Sequence, residues 1–163
     1  MKKSKKQNII IVTIAVIIIG AIAGYNYSVD QIKQKGLKFG NELQQIQEDV
    51  KQLQTEFNSK ITQWEEEDLS QQELSEYSKN HIEKLQNMIL RYDDLIPPKQ
   101  FASSVELFKL STQAQLDSDK EFIEWIKTSD DSHKIRSDSL LQESFEYEMM
   151  ALGEFNAAKS GLR

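Results

Sequence analysis

The chain contains no cysteine. That absence excludes a disulfide framework, a thiolate metal site, a lipoprotein anchor and a cysteine nucleophile, so any exported domain must hold itself together by packing. Proline occurs twice, adjacent at Pro97 and Pro98, and no glycine lies between Gly40 and Gly153. So little punctuation argues against a sheet of short strands and for long helices. Histidine occurs twice, at His81 and His133. A di-metal helical site of Glu-x-x-His pairs fails, because the residues three before them are Ser78 and Asp130. No nucleophile elbow, phosphate loop, Gly-rich nucleotide turn or His-Glu-x-x-His is present, so the sequence predicts neither catalysis nor a cofactor.

Charge is unevenly placed. Residues 26–163 hold all 26 acidic residues but only 16 of the 20 basic ones, a net of −10 that the whole-chain −6 conceals. Nucleic acid is therefore not an expected partner.

The opening is basic and then greasy. Lys2, Lys3, Lys5 and Lys6 form a short basic tail over residues 1–8, and Ile9 to Tyr25 carries no charge. As a helix these seventeen residues span about 26 Å, short for a bilayer core but sufficient. No further Lys or Arg follows until Lys33, so the bias of positive charge predicts a cytoplasmic N-terminus and everything after Tyr25 outside, in contact with membrane lipid through residues 9–25. Tyr25 and Tyr27 suit the outer headgroup layer. The competing reading is a cleaved signal peptide, with Ala21-Ile22-Ala23 as the small-x-small site and secretion after cleavage following Ala23. Retention is favoured because the apolar stretch runs into Ala21 with no polar region before it. A prepilin leader lacks both the small residue before its cut and the Glu inside the run. Gly20-x-x-x-Gly24 would let two spans approach and form a homodimer, although apolar filler explains the spacing too. Asn26-Tyr27-Ser28 fits a glycosylation acceptor close to the lipid.

Periodicity predicts an all-α chain. Phe39, Leu43, Ile46, Val50, Leu53, Phe57, Ile61 and Trp64 recur by threes and fours, one apolar stripe along a long first helix from about Asp30 to Glu66. A juxtamembrane stalk is expected over 26–40, with Gly36 and Gly40 as hinges or helix-weakening residues, and the helical domain over 41–163. A second stripe takes Leu74, Tyr77, His81 or Ile82, Leu85, Ile89, Tyr92 and Ile96, ended by Pro97-Pro98. The third takes Phe101, Val105, Phe108, Phe122, Ile123 and Ile126, with Ser111, Thr112, Gln115 and Asp119 polar at core spacing. The fourth takes Leu141, Phe145, Leu152 and Phe155. Ser70 to Glu73 reads as a capping box, Asp130 or Asp131 as a cap, and Ser118 to Glu121 as a possible break in the third helix. Short connections then predict an antiparallel up-down four-helix bundle behind a single transmembrane helix.

That topology nominates surfaces. Glu65, Glu66, Glu67 and Asp68 in one connection and Asp130 and Asp131 in another would share the distal tip, an acidic end that could attract a divalent cation or a basic partner, though solvated helix starts account for it as well. His81, Gln115 and Asp119, with Thr55 near the same level, would form a polar core layer able to hold a small ligand or simply to set register. Trp64 and Trp125 are expected to pair across the distal end. In layout the chain resembles small single-pass surface proteins with helical ectodomains, a resemblance that carries no motif. Two function classes follow. One is a structural or interaction protein of the envelope or cell surface; the other is a ligand-sensing ectodomain with a separate signalling partner.

Overall fold

The computed structural model describes residues 33–161, and these are all-α. The basic tail, the expected span 9–25, Gly20 and Gly24 lie outside them. Among the described residues no helix is long and apolar enough to cross a membrane. Helix α1 is Lys33–Glu65, α2 Gln71–Asp93, α3 Ala102–Thr128 and α4 Asp131–Ser160, with one 3-10 turn, Lys99–Phe101, ahead of α3.

The predicted start signals operate. Ser70 accepts a hydrogen bond from the Glu73 backbone amide while the Glu73 side chain returns to the Ser70 backbone, satisfying two of the donors that a helix start leaves bare. The Ser70 hydroxyl and the Ser70 backbone N–H, both donating to the Glu73 carboxyl, hold it below its ordinary range. Asp130 accepts from Ser132 N and caps α4. At Pro97-Pro98 the chain turns: α2 ends at Asp93, and Pro98 precedes the 3-10 turn, its missing N–H costing nothing there. Leu95 fills the core at this corner, and Ile96, which the second stripe included, is 87% exposed. The possible break in the third helix is absent. α3 runs unbroken through Ser118, whose hydroxyl bonds a neighbouring helix instead of capping.

Each helix runs antiparallel to the one before it. Gln47 meets Tyr92 and Asp49 pairs with Arg91 between α1 and α2; Tyr92 meets Thr112 and Asp93 pairs with Lys109 between α2 and α3. α1 passes through Gly36 and Gly40 without interruption, and Phe39 is already buried, its ring 5.7 Å from that of Phe101. The main apolar cluster lies at this end, around Phe39, Leu43, Ile46, Phe101, Phe108, Leu152 and Phe155. Each such side chain fully withdrawn from water contributes roughly 1.5–3 kcal/mol. Leu53, Leu85 and Leu116 make a smaller middle cluster, and Phe57, Leu74 and Ile123 a third toward the other end.

The most extensive helix contact, between α3 and α4, has large apolar residues at the Phe108, Leu152 and Phe155 end and a seam of small residues along the rest. Ser104, Ser111 and Ser118 repeat every seven residues on α3, and Ser137, Ser144 and Ala151 do the same on α4; all are buried. Small side chains at heptad spacing let two helices approach closely along one seam. The hydroxyls then bond across it. Ser118 Oγ donates to the Ser137 carbonyl at 2.8 Å and Ser144 Oγ to the Ser111 carbonyl at 2.9 Å. The fourth stripe is corrected accordingly: Leu152 and Phe155 are buried, Leu141 and Phe145 only half-buried, and serines hold the centre of the interface.

Candidate functional site

The polar layer centres on Asp119, 5% exposed in the middle of α3. Its Oδ2 accepts from Gln54 Nε2 of α1 at 2.7 Å and lies 2.9 Å from His81 Nε2 of α2; its Oδ1 accepts from Gln115 Nε2, one turn back on α3, at 3.0 Å. A carboxylate only accepts, so the His81 proton of that contact sits on Nε2. The His81 ring stacks on Phe57, centroids 4.1 Å apart and planes 11° from parallel. Its Nδ1 is sealed and unpaired, the one such side-chain atom among the described residues. His81, Gln115 and Asp119 are thus brought together, and the fourth member is Gln54. Thr55 is exposed and bonds the Lys51 carbonyl of its own helix. A one-residue step on a helix turns a side chain by about 100°, enough to exchange core for solvent.

A second chain of polar groups lies nearer the Phe39 end. Thr112 Oγ1 donates to the Phe108 carbonyl, which leaves it to accept from Tyr92 Oη at 3.2 Å; Tyr92 Oη in turn accepts from Gln47 Nε2 at 2.5 Å. Burial pushes the Tyr92 phenol well above its ordinary value.

The two networks flank a narrow cleft. α1 packs along α2 and makes no comparably extensive contact with α4, and between α1, α3 and α4 about 60 Å³ stays unfilled. Gln47, Gln54 and Gln115 line it, with Lys51 and Phe145 at its walls and Glu148 of α4 beside them. Desolvation alone pushes the Glu148 carboxyl up to about 7, and no hydrogen bond or ion pair reaches it among the described residues. Periodicity gave no hint of Glu148, which reads as one acid of several on α4.

The residues of the predicted acidic tip lie at the α1–α2 and α3–α4 connections. Glu65 ends α1 and Glu66, Glu67 and Asp68 follow in the α1–α2 turn; all four are exposed, and Glu67 takes a left-handed φ of 63°. Asp130 is engaged as a cap, which holds its carboxyl low, and Asp131 accepts from Trp125 Nε1 at 3.3 Å. Among the described residues no group of three or more acidic or His side chains converges as a cation would require. Trp64 and Trp125 do pair, edge to face at 6.2 Å, which brings the α1–α2 and α3–α4 turns to one end. His133 Nδ1 lies 2.6 Å from Glu121, which also pairs with Arg136, and that hydrogen bond raises the His133 value.

No protein family, curated protein or solved structure matches the chain.

Proposed function

We propose that the protein is a membrane-tethered four-helix bundle with a structural or protein-interaction role, held by residues 9–25 and standing outside the membrane with its N-terminus in the cytoplasm. Ile96 carries this reading. Among the described residues it is the most exposed large apolar side chain, at 87%, on the turn beside the Phe39–Phe101 contact, so it sits at the end where α1 begins and where a preceding span would enter. In water an isoleucine that bare stabilises nothing; set into the headgroup boundary it removes apolar surface from water at about 25 cal/mol per Å². The opposite end, with exposed Glu65 to Asp68 and the Asp130–Asp131 turn, faces away and suits a basic surface on an envelope or surface protein.

The lack of native cysteine makes the test clean. Ile96→Cys and Ile135→Cys, each the only thiol in the full chain, are labelled with an environment-sensitive fluorophore in proteoliposomes. The label at 96 should emit to the blue and be quenched by lipid-borne quenchers, and the label at 135 should not. Water-like emission from both would defeat the reading. A ligand-binding ectodomain is the second reading, and the cleft beside Gln115 favours it.

A further inference from the structure

The flank where α2 meets α3 changes character along its length. Near the Phe39 end Asp93 of α2 reaches across to Lys109 of α3. Toward the Trp64 end the same flank of α3 carries Lys120 and Lys127, and α2 sets Ser75, Ser78 and Lys79 opposite them. His81 and Asp119 meet at 2.9 Å, so in this antiparallel pair Lys79 stands level with Lys120 to within a residue. Like charges therefore flank one gap. Lys120 and Lys127 turn back to Asp117 and Glu124 of their own helix, at 2.9 and 2.7 Å, with all four side chains between 40% and 47% exposed. Pairs that exposed, within one helical turn, hold little energy. Lys79 makes no ion pair among the described residues, and Glu76, the acid that α2 adds to the lining, pairs with none of the three lysines. The floor beneath them is apolar. Ser78 folds its hydroxyl onto the Leu74 carbonyl at 2.6 Å, so α2 presents little bulk where it faces Ile123. About 290 Å³ lies open over Ile82 and Ile123, and Ser78, Lys79, Ile123 and Lys127 also line its continuation past Leu74 and Ile126.

We propose that the groove between α2 and α3 binds an alkyl carboxylate, with its head between Lys79 and Lys120 and its chain along Ile123 and Ile126. A carboxylate set between two facing ammonium groups replaces their repulsion with charge-assisted hydrogen bonds. Ser75, whose hydroxyl has no bond among the described residues, lines the same wall and can donate as well. The apolar floor selects an amphiphile over a bare anion, since each methylene withdrawn from water contributes about 0.8 kcal/mol. Its volume is close to the roughly 300 Å³ at which small-molecule sites begin. The groove lies between the His81–Asp119 layer and the Trp64 end, away from the Ile96 turn, so its ligand arrives from solution and not from a lipid surface under the bundle. The assignment stands whether or not the chain is tethered.

Hexanoate is the probe, titrated into the full chain in lipid nanodiscs with carbon-13 in the isoleucine δ1 methyls. Saturable shifts at Ile82, Ile123 and Ile126 are expected, with Ile135 unmoved. Acetate keeps the head without the chain and should bind at least about tenfold more weakly. Hexylammonium keeps the chain with the opposite charge and should give no saturable shift. Joint replacement Lys79→Glu and Lys120→Glu should weaken hexanoate binding by about tenfold or more. If that variant fails to fold, the contrast between hexanoate and hexylammonium on the wild-type chain decides the matter. Hexanoate shifts that never saturate, or hexylammonium saturating the same methyls as readily, would overturn the proposal. So would shifts of these methyls with protein concentration alone, which would give the groove to a second copy of the chain.

Discussion

Gln54 and Asp119 are separated by 65 positions in the chain and by 2.7 Å in the fold, both 5% exposed. With His81 they tie α1, α2 and α3 at one level. An unpaired carboxylate at that depth would be costly, and donors from three helices repay the cost only when all three are in register. The layer therefore selects one alignment of the helices from among those that apolar packing alone would allow.

Removing the acceptor should be severe. Asp119→Ala orphans the donors of Gln54, His81 and Gln115, and the expected loss is about 3–5 kcal/mol in chemical denaturation followed by circular dichroism. The triple replacement of Gln54, His81 and Asp119 by Leu should recover most of that loss. A triple variant as weak as Asp119→Ala would show that the layer adds stability outright.

The serine seam predicts an inverted size rule. Ser144→Ala removes a bond and should cost about 1 kcal/mol. Ser144→Leu inserts bulk where two backbones lie close and should cost about 1–3 kcal/mol more, with α3 and α4 forced apart. If leucine were the milder change, the close approach of these helices would be wrong.

Glu148 gives a pH dependence whose sign is fixed by its shift. Its carboxyl rises from the ordinary 4.5 to about 7, so the folded chain holds this proton more tightly than the unfolded chain. The stabilising contribution is complete below about 4.5 and is lost as pH climbs through about 7. Charged or titratable groups near it are Lys51 of α1, which lines the same cleft, and Tyr92 of α2, which is raised by burial and also by Glu148. Glu148→Gln should match wild type at acid pH and exceed it at pH about 8 by up to about 3 kcal/mol, at 1.36 kcal/mol per pKa unit. Melting temperatures across that range check it, and parallel curves for the two proteins would refute the burial of this acid.

The capping box supports a smaller expectation. Ser70→Ala removes the acceptor for Glu73 N and should cost about 1 kcal/mol, measured by thermal unfolding. Ser75→Ala, half-buried with no capping role, is the control and should leave the curve in place.

What could be read along the chain was local. Helix type, the Ser70–Glu73 cap and the stripe from Phe39 to Phe57 depend on residues within a few turns of one another, so spacing alone carries them, whereas α2 stops at Asp93, short of the Pro97-Pro98 expected to end it. His81, Gln115 and Asp119 stood out because polar residues at core spacing are conspicuous. Gln54 did not, being one glutamine among many on α1, and the level of the layer along the helix pointed to Thr55 beside it. Ser111 stands at core spacing and Ser118 has the look of a cap, but nothing marks Ser104, Ser137 and Ser144 as a seam, because a hydrophobicity pattern counts what is greasy and their role rests on being small.

The amino-acid order by itself determined where helices form, which ends are capped and which long side chains must leave water, since each follows from backbone sterics and apolar periodicity within one segment. Only the tertiary structure decided that α3 and α4 share a seam of serines, that Ile96 is left bare, and that three glutamines turn their nitrogens toward Asp119 and Tyr92 while Glu148 finds no partner among the described residues. Those outcomes depend on which faces of separate helices meet and at what height, and no single helix encodes the partner it will find.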